Sequence, residues 1–260
     1  VSAGAIATVR GRRVWDSRGR PTVEAEVRLA GGAVGRAIAP AGASTGSGEA
    51  VDRRDGGRRF GGHDVLGAVA AVNGEIAAAV AGMDAAEQEA VDRRLVALDG
   101  TPNRARLGGN ALIATSMAVA HAAAAARGLP LWRHLGGDEA AHLPLPEIQI
   151  FGGGAHAGRR VDVQDFMVVA VGAGDYAEAL EWTAEVYRAA GDLMAEAGRL
   201  QGVADEGGYW PAFDGNEAAL DMLLRAIERA GLKPGTEMAI SLDIAASQFG
   251  RGGRYRLARD

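Results

Sequence analysis

The succession of hydrophobic periodicities constrains this chain most. Up to about residue 140, a period-two segment is followed by helical patterns; beyond it, strand-like and helical stretches succeed one another in a different order. In Thr22-Val23-Glu24-Ala25-Glu26-Val27-Arg28-Leu29, apolar and polar residues alternate, as in a strand with one buried face. Residues 5–10 read as a strand before it, Gly31-Gly32 as a hairpin turn, and Val34 to Ala39 as the return strand. A three-stranded antiparallel meander is expected. Residues 40–48 are small and flexible, which marks a loop. Helices are expected over 64–80, over 84–97 with Asp84 as N-cap, and over 109–127. Gly128-Leu129-Pro130 supplies a C-cap glycine and a stop to the last of these. Its many alanines fit close helix packing, and equally fit high helix propensity alone.

Gly136-Gly137-Asp138, then Pro144 and Pro146, mark a linker. The boundary is placed near 138–142, giving one domain over 1–138 and another over 139–260. In the second, 147–151 and 163–170 read as strands, with Phe166 to Val171 almost continuously apolar as in a buried strand. Helices follow over 175–197 and 216–230, the latter opened by Asn216 as N-cap, and 237–243 reads as a strand ending in an acid. Strand, strand, helix, helix, strand suggests the start of an α/β barrel. A complete barrel takes roughly 250 residues, so about half is expected here. The fold class expected is an α+β N-terminal domain followed by an incomplete α/β barrel, in a sequence that is a piece of a longer one.

Composition excludes several functions. No run of about 18 apolar residues suggests a membrane span, and the first 30 residues lack a signal-peptide pattern. A cytoplasmic protein without a membrane partner is expected. A net charge of −5 and a pI near 5.6 argue against nucleic acid. The absence of cysteine removes disulfides, thiolate metal sites and cysteine nucleophiles. Lys and Arg together number 28, yet Lys233 is the sole lysine. It lies between Gly231-Leu232 and Pro234-Gly235, in a turn, where it makes a poor base. A mechanism that needs a catalytic lysine must use Lys233 or find one outside these residues.

Three acids of the second segment stand near strand ends or in turns: Asp165, Glu206 and Asp243. Barrel active sites lie at the carboxyl ends of strands, and a hard divalent ion prefers carboxylate oxygens. Asp243 is therefore a candidate Mg2+ ligand; the competing reading is a helix N-cap or a solvated turn acid. Ala204-Asp205-Glu206-Gly207-Gly208 sets two acids before two glycines, which allow close backbone approach; a tight acidic turn is the competing reading. The glycine-rich stretch from Phe151 to Gly158 surrounds His156 without the spacing of a phosphate-binding P-loop or dinucleotide fold. His156 could serve a substrate, a phosphate or a proton transfer, or be structural. His63, His121, His134 and His142 show no ligand spacing and read as structural. The loop from Pro40 to Gly46 could close over a small anion, or be an ordinary connection.

Taken in order, these signals resemble the enolase (phosphopyruvate hydratase) family. The similarity covers nearly the whole chain. It is carried by Asp16-Ser17-Arg18-Gly19-Arg20-Pro21-Thr22-Val23-Glu24, the loop Gly42 to Gly46, Leu107-Gly108-Gly109-Asn110-Ala111, Leu129-Pro130-Leu131 with Leu135-Gly136-Gly137, Gly153-Gly154-Ala155-His156-Ala157-Gly158, Gln164-Asp165-Phe166-Met167, Asp205-Glu206-Gly207-Gly208 and Leu242-Asp243. The resemblance implies Mg-dependent dehydration of 2-phospho-D-glycerate to phosphoenolpyruvate, with two Mg2+ per active site, a lysine base and a glutamate acid. It implies Asp243 as a ligand of the tighter Mg2+, Ser44 on the closing loop joining the second, and Glu206 as the acid on the leaving hydroxyl. His156, Gln164 and Asp165 would lie in the substrate pocket, His156 near the phosphate. A homodimer is implied as well.

Four departures accompany the resemblance. Asp165 stands where the family has Glu, and a carboxylate one methylene shorter moves by more than about 1 Å. Gly152 and Ala155 replace Asn and Ser, and Ala41 begins the loop in place of Ser. Tyr209-Trp210-Pro211 and Phe213 add aromatic bulk, expected at the pocket rather than in the scaffold. The departures motivate one alternative, a divergent enzyme acting on a related phosphorylated or phosphonate acid; the incomplete barrel motivates another, a catalytically inactive truncated protein that acts only as a binding module. The remaining two Mg2+ carboxylates and the base lysine that the resemblance implies are not among these residues, so residues 1–260 alone are expected to be inactive.

Overall fold

A computed structural model describes residues 2–42, 44–139 and 142–258. The chain forms two compact units, one over residues 1–42 and 48–141, the other over 43–47 and 142–260.

In the first unit, β1 (Ile6–Trp15), β2 (Pro21–Leu29) and β3 (Val34–Ile38) form an antiparallel sheet in that order. Val23, Ala25, Val27 and Leu29 all point to the core, as the alternation requires. The first strand runs five residues beyond the expected 5–10, and both Arg12 and Arg13 on this extension are ion-paired. Arg12 bonds Glu24 at 2.6 Å and Glu26 at 2.7 Å, and Arg13 bonds Asp64 at 2.9 Å. The helical stretch expected over 64–80 consists of α1 (Leu66–Ala71), a π-helical turn (Val72–Ile76) and α2 (Ala77–Val80). In the π turn, Asn73 bonds both the backbone N–H and the carbonyl of Gly11, which ties it to β1. Asp84 is not an N-cap. It caps a turn by accepting from the Ala86 N–H at 3.0 Å, and α3 (Gln88–Asp99) begins four residues later. The site of Asp84 is fixed by its bridge to Ala5, a contact sequence periodicity does not carry.

Helix α4 (Gly109–Ala126) packs on β2 and β3. Of the two readings of its alanines, the structure shows close packing. A Cβ on Gly35 of β3 would run into the Ala118 carbonyl and the Ala122 backbone nitrogen, and would lie 2.8 Å from the Ala122 Cα. By length and composition this helix could cross a bilayer, against the sequence expectation, but 61% of it is buried within the unit. Gly128 ends it at φ 63°, with the Leu129 N–H returning to the Ala124 carbonyl at 3.0 Å. The linker region additionally holds a short helix, α5 (Leu131–Gly136), which Pro130 opens.

In the second unit, β4 (Glu147–Gly152), β5 (Asp165–Val169) and β6 (Ala239–Asp243) form one sheet with β5 central. Helices α6 (Tyr176–Glu196) and α7 (Asn216–Arg229) cover it, and a hairpin of β7 (Gly250–Arg251) and β8 (Arg254–Tyr255) follows. Asp175 caps α6 by accepting from the Glu178 N–H at 2.9 Å. Asn216 does not cap α7; Gly215 precedes the helix, and the Asn216 side chain serves another segment. Phe151, Phe166, Phe213, Leu223 and Ile227 are fully buried in one core cluster.

Two predictions follow from the first unit. Gly35→Ala forces α4 away from β3, and overpacking of this kind costs about 1–3 kcal/mol; urea unfolding followed by circular dichroism should show the loss. Burial alone would raise the Glu24 carboxyl, but hydrogen bonds from Arg36 and Arg12 outweigh it and hold the group below the usual carboxylate range. A folded-state pKa below the unfolded one adds stability above about pH 4.3, which is lost as pH falls through the folded value. Glu24→Gln should flatten that acid-side loss in a pH series of unfolding midpoints.

Candidate functional site

The reversal of β5 creates one crowded sheet end. Antiparallel pairing with both neighbours sets the start of β5 beside the ends of β4 and β6. In register, Gly152 pairs with Asp165, and Asp165 with Asp243. The glycine loop leaving β4, the residues entering β5 and the acid ending β6 thus meet at one edge. The turn 204–208 docks there too, held by Tyr209, whose backbone N–H donates to the Ile150 carbonyl at 2.8 Å.

His156 is 5% exposed. Its Nε2 faces Asp165 Oδ1 at 3.6 Å and Glu206 Oε2 at 3.8 Å, both longer than a hydrogen bond. The three ligand-type atoms lie within 4.8 Å of one another, a set that could hold a metal ion. His156 Nδ1 is buried and has no hydrogen-bond partner among the described residues. Asp165 is buried, whereas the Glu206 side chain is 54% exposed. One imidazole therefore faces a carboxylate sealed in the sheet end and another open to solvent.

Gln164 is buried and fully engaged. Its Nε2 donates to Asp243 Oδ2 at 3.1 Å, and its Oε1 accepts from Gln248 Nε2 at 2.7 Å. Its backbone N–H donates to the Asp243 carbonyl at 3.0 Å, and its carbonyl accepts from the Gly153 N–H at 2.6 Å. Asp243 is exposed, and its Oδ1 accepts from the Ala245 N–H at 2.9 Å. It is thus both a turn acid and an oxygen donor at a strand end. Among the described residues, Asp243 is not part of the His156–Asp165–Glu206 group; Gln164, the residue before Asp165, hydrogen-bonds it. Ser44 is half-buried, groups with this unit, and among the described residues makes no hydrogen bond to Asp243, Asp165 or His156. His63, His121 and His134 belong to the first unit, and His142 is exposed at the start of the second.

The aromatic residues after the acidic turn correct an expectation. Phe213 is buried and meets Phe151 edge-on at 5.0 Å, so it is scaffold, placed there because a ring of that size gains most by leaving water. Tyr209 stacks on Tyr187 with ring centres 4.4 Å apart, and the Tyr187 hydroxyl donates to the Gly207 carbonyl at 2.8 Å. The aromatic bulk braces the turn that carries Glu206. Lys233 is exposed in the turn before β6, at the end of that strand opposite Asp243.

Two features are not marked in the sequence. Gln149 on β4 bonds both Asp165 and the Gly208 N–H; nothing in a strand sequence singles out one glutamine. A cleft of about 670 Å3 is lined by Arg159, Arg251, Arg254 and Arg256, with Gln248 and Tyr255. The β7–β8 hairpin gathers its arginines with Arg159, a grouping that exists only in the fold. Through Gln248 and Gln164 this cleft connects to Asp243.

The chain thus has two units, an α+β unit and one whose sheet gathers acids at one end. The family model for the enolase N-terminal domain matches residues 6–135, and that for the enolase C-terminal TIM barrel domain matches 140–260. Enolase of Rubrobacter xylanophilus is 52% identical over 254 residues, and enolase of Acidothermus cellulolyticus 50% identical over 252; each alignment covers 97% of this chain. The chain belongs to the enolase family, and its second unit is part of the family's barrel. It spans 59% of the length of these two relatives.

Asn216 supports the chain leading into the site. Its Oδ1 accepts from the Asp162 and Val163 N–H groups at 3.1 and 3.0 Å, which holds the segment between the glycine loop and β5. Asn216→Ala removes both hydrogen bonds and should lower stability by about 1–3 kcal/mol, read from urea unfolding.

Proposed function

We propose that this chain is part of an enolase-type lyase, a phosphopyruvate hydratase acting in glycolysis, that dehydrates 2-phospho-D-glycerate to phosphoenolpyruvate with Mg2+. The observation that carries the reading is the meeting of His156, Asp165 and Glu206 with the Gln164–Asp243 pair at one sheet end, in a chain of this family. Residues 1–138 would form the N-terminal domain and 139–260 the first part of the barrel. In the same reading the enzyme is cytoplasmic and homodimeric.

Asp243 suits a hard cation: it is an exposed carboxylate at a strand end, oriented by Gln164 and the Ala245 N–H. Asp243 would hold one Mg2+ and Ser44 would join the second. Bound metal would supply charge neutralisation for the substrate carboxylate while the neighbouring C–H bond breaks. Glu206, solvent-open and 3.8 Å from the imidazole, would protonate the departing hydroxyl so that it leaves as water. His156 and Gln164 would orient the phosphorylated acid, and the arginine cleft offers charge complementary to it. Asp165 would set the electrostatics of His156. The proton next to the carboxylate goes to a base. Lys233 stands at the wrong end of β6 for that role, so the base comes from outside these residues.

The test is a dehydration assay on 2-phosphoglycerate with and without Mg2+, using residues 1–260 and a longer polypeptide that contains them. Turnover is expected from the longer protein only, lost on chelation, and reduced at least 100-fold by Glu206→Gln. Mg-dependent turnover by residues 1–260 alone, or none by any longer form, would sink this reading.

A further inference from the structure

The segments carrying Asp165 and Glu206 are remote in sequence, and a single amide spans them. Gln149 Nε2 donates to Asp165 Oδ1, while Gln149 Oε1 accepts from the Gly208 N–H at 2.9 Å. The chemistry fixes which end of the amide faces which partner: a carboxylate can only accept, and a backbone N–H can only donate. The oxygen that Gln149 holds is the one 3.6 Å from His156 Nε2. The N–H that it binds lies two residues after Glu206, in a turn closed by the Ala204 N–H on the Gly208 carbonyl at 2.7 Å. One side chain therefore sets the spacing between the buried acid, the imidazole and the exposed acid.

The long amide fits because its neighbours have no side chains. A Cβ on Gly208 would lie 2.8 Å from Gln149 Cγ. A Cβ on Gly152 would lie 2.6 Å from the Ala204 Cβ and 3.0 Å from Gln149 Oε1. Gly152 and Asp165 are two of the positions at which the chain departs from the family pattern, which has Asn and Glu there. Considered singly, each departure is a loss of polar reach.

We propose that Gln149, Gly152 and Asp165 act as one coupled unit, in which Gln149 is a positioning residue for the dehydration. Gln149 supplies the reach that the shorter acid lacks and occupies space that a side chain at 152 would take. The unit keeps a carboxylate opposite His156 and locks the Glu206 turn to the same strand. The departures at 152 and 165 are mutually compensating, and the chemistry they serve is that of the family. The catalytic half of this inference rests on the dehydration reading; the structural half does not.

The test is a double-mutant cycle in the catalytically competent protein, with Asp165→Glu, Gln149→Asn and the pair together. The pair moves one methylene from one partner to the other and conserves their summed length. Each single change should lower kcat at least 10-fold with KM altered less than about threefold, and the pair should return kcat to within about threefold of the parent. Independent singles, with the pair as slow as their product, would overturn the coupling. A second measurement needs no activity: amide hydrogen exchange in residues 1–260. Gln149→Ala should speed exchange at Gly208 at least 10-fold and leave Val168, in the middle of β5, unchanged; unchanged exchange at Gly208 would overturn the unit. If the parent fails to dehydrate 2-phosphoglycerate while Gly208 still depends on Gln149, the dehydration reading falls and the structural half stands.

Discussion

The antiparallel pairing of β5 with both β4 and β6 is the constraint on which the second unit depends. An acid at the start of a strand and an acid at the end of a strand reach the same edge only if the two strands run in opposite directions. Asp165 opens β5 and Asp243 closes β6, and their register pairing follows from that reversal. The same reversal sets Gly152, the last residue of β4, against Asp165. The glycine loop then has to pass close to the start of β5, and the Gly153 N–H bonds the Gln164 carbonyl there. His156, three residues on, is thereby folded under the sheet end and buried. Hydrogen bonds from main chain do most of this placement, which leaves side chains such as Gln164 and Gln149 free to orient carboxylates.

The first unit shows the same dependence of position on close approach. Gly35 lets α4 lie directly on β3, and the small alanines of the helix extend that contact along its length. The charged face of the sheet is organised by arginines: Arg12 and Arg36 converge on Glu24, and Arg13 on Asp64. With these acids almost fully buried, each needs its partner, because an unpaired carboxylate in such a place would be costly.

Much of the architecture was legible because the signals were local. Alternation in Thr22 to Leu29, the Gly31-Gly32 turn and the Gly128-Leu129-Pro130 stop each act within a few residues, and the elements they mark lie within a few residues of expectation. Asp84 and Asn216 were misread as helix caps, since both look like caps locally. Each spends its side chain on a different segment, Asp84 on a turn and Asn216 on the strand approach at 162–163. The extension of β1 escaped because its arginines pair with Glu24, Glu26 and Asp64, all remote in sequence. At the site, His156, Gln164, Asp165, Glu206 and Asp243 stood out as residue types in a telling order. Gln149 did not, because its role exists only where two remote segments pass on either side of it.

The sequence by itself determined the two-part organisation, the meander, the main helices and the inventory of chemical groups, including a single lysine in a turn. Those follow from periodicity, turn chemistry and composition, which are properties of short stretches. Only the tertiary structure decided which groups meet. It put Glu206 and Asp165 on either side of one imidazole, sent Phe213 to the core and Lys233 to the far end of β6, and made Gln149 a bridge. Those outcomes depend on strand direction and register, and neither is encoded in any segment alone.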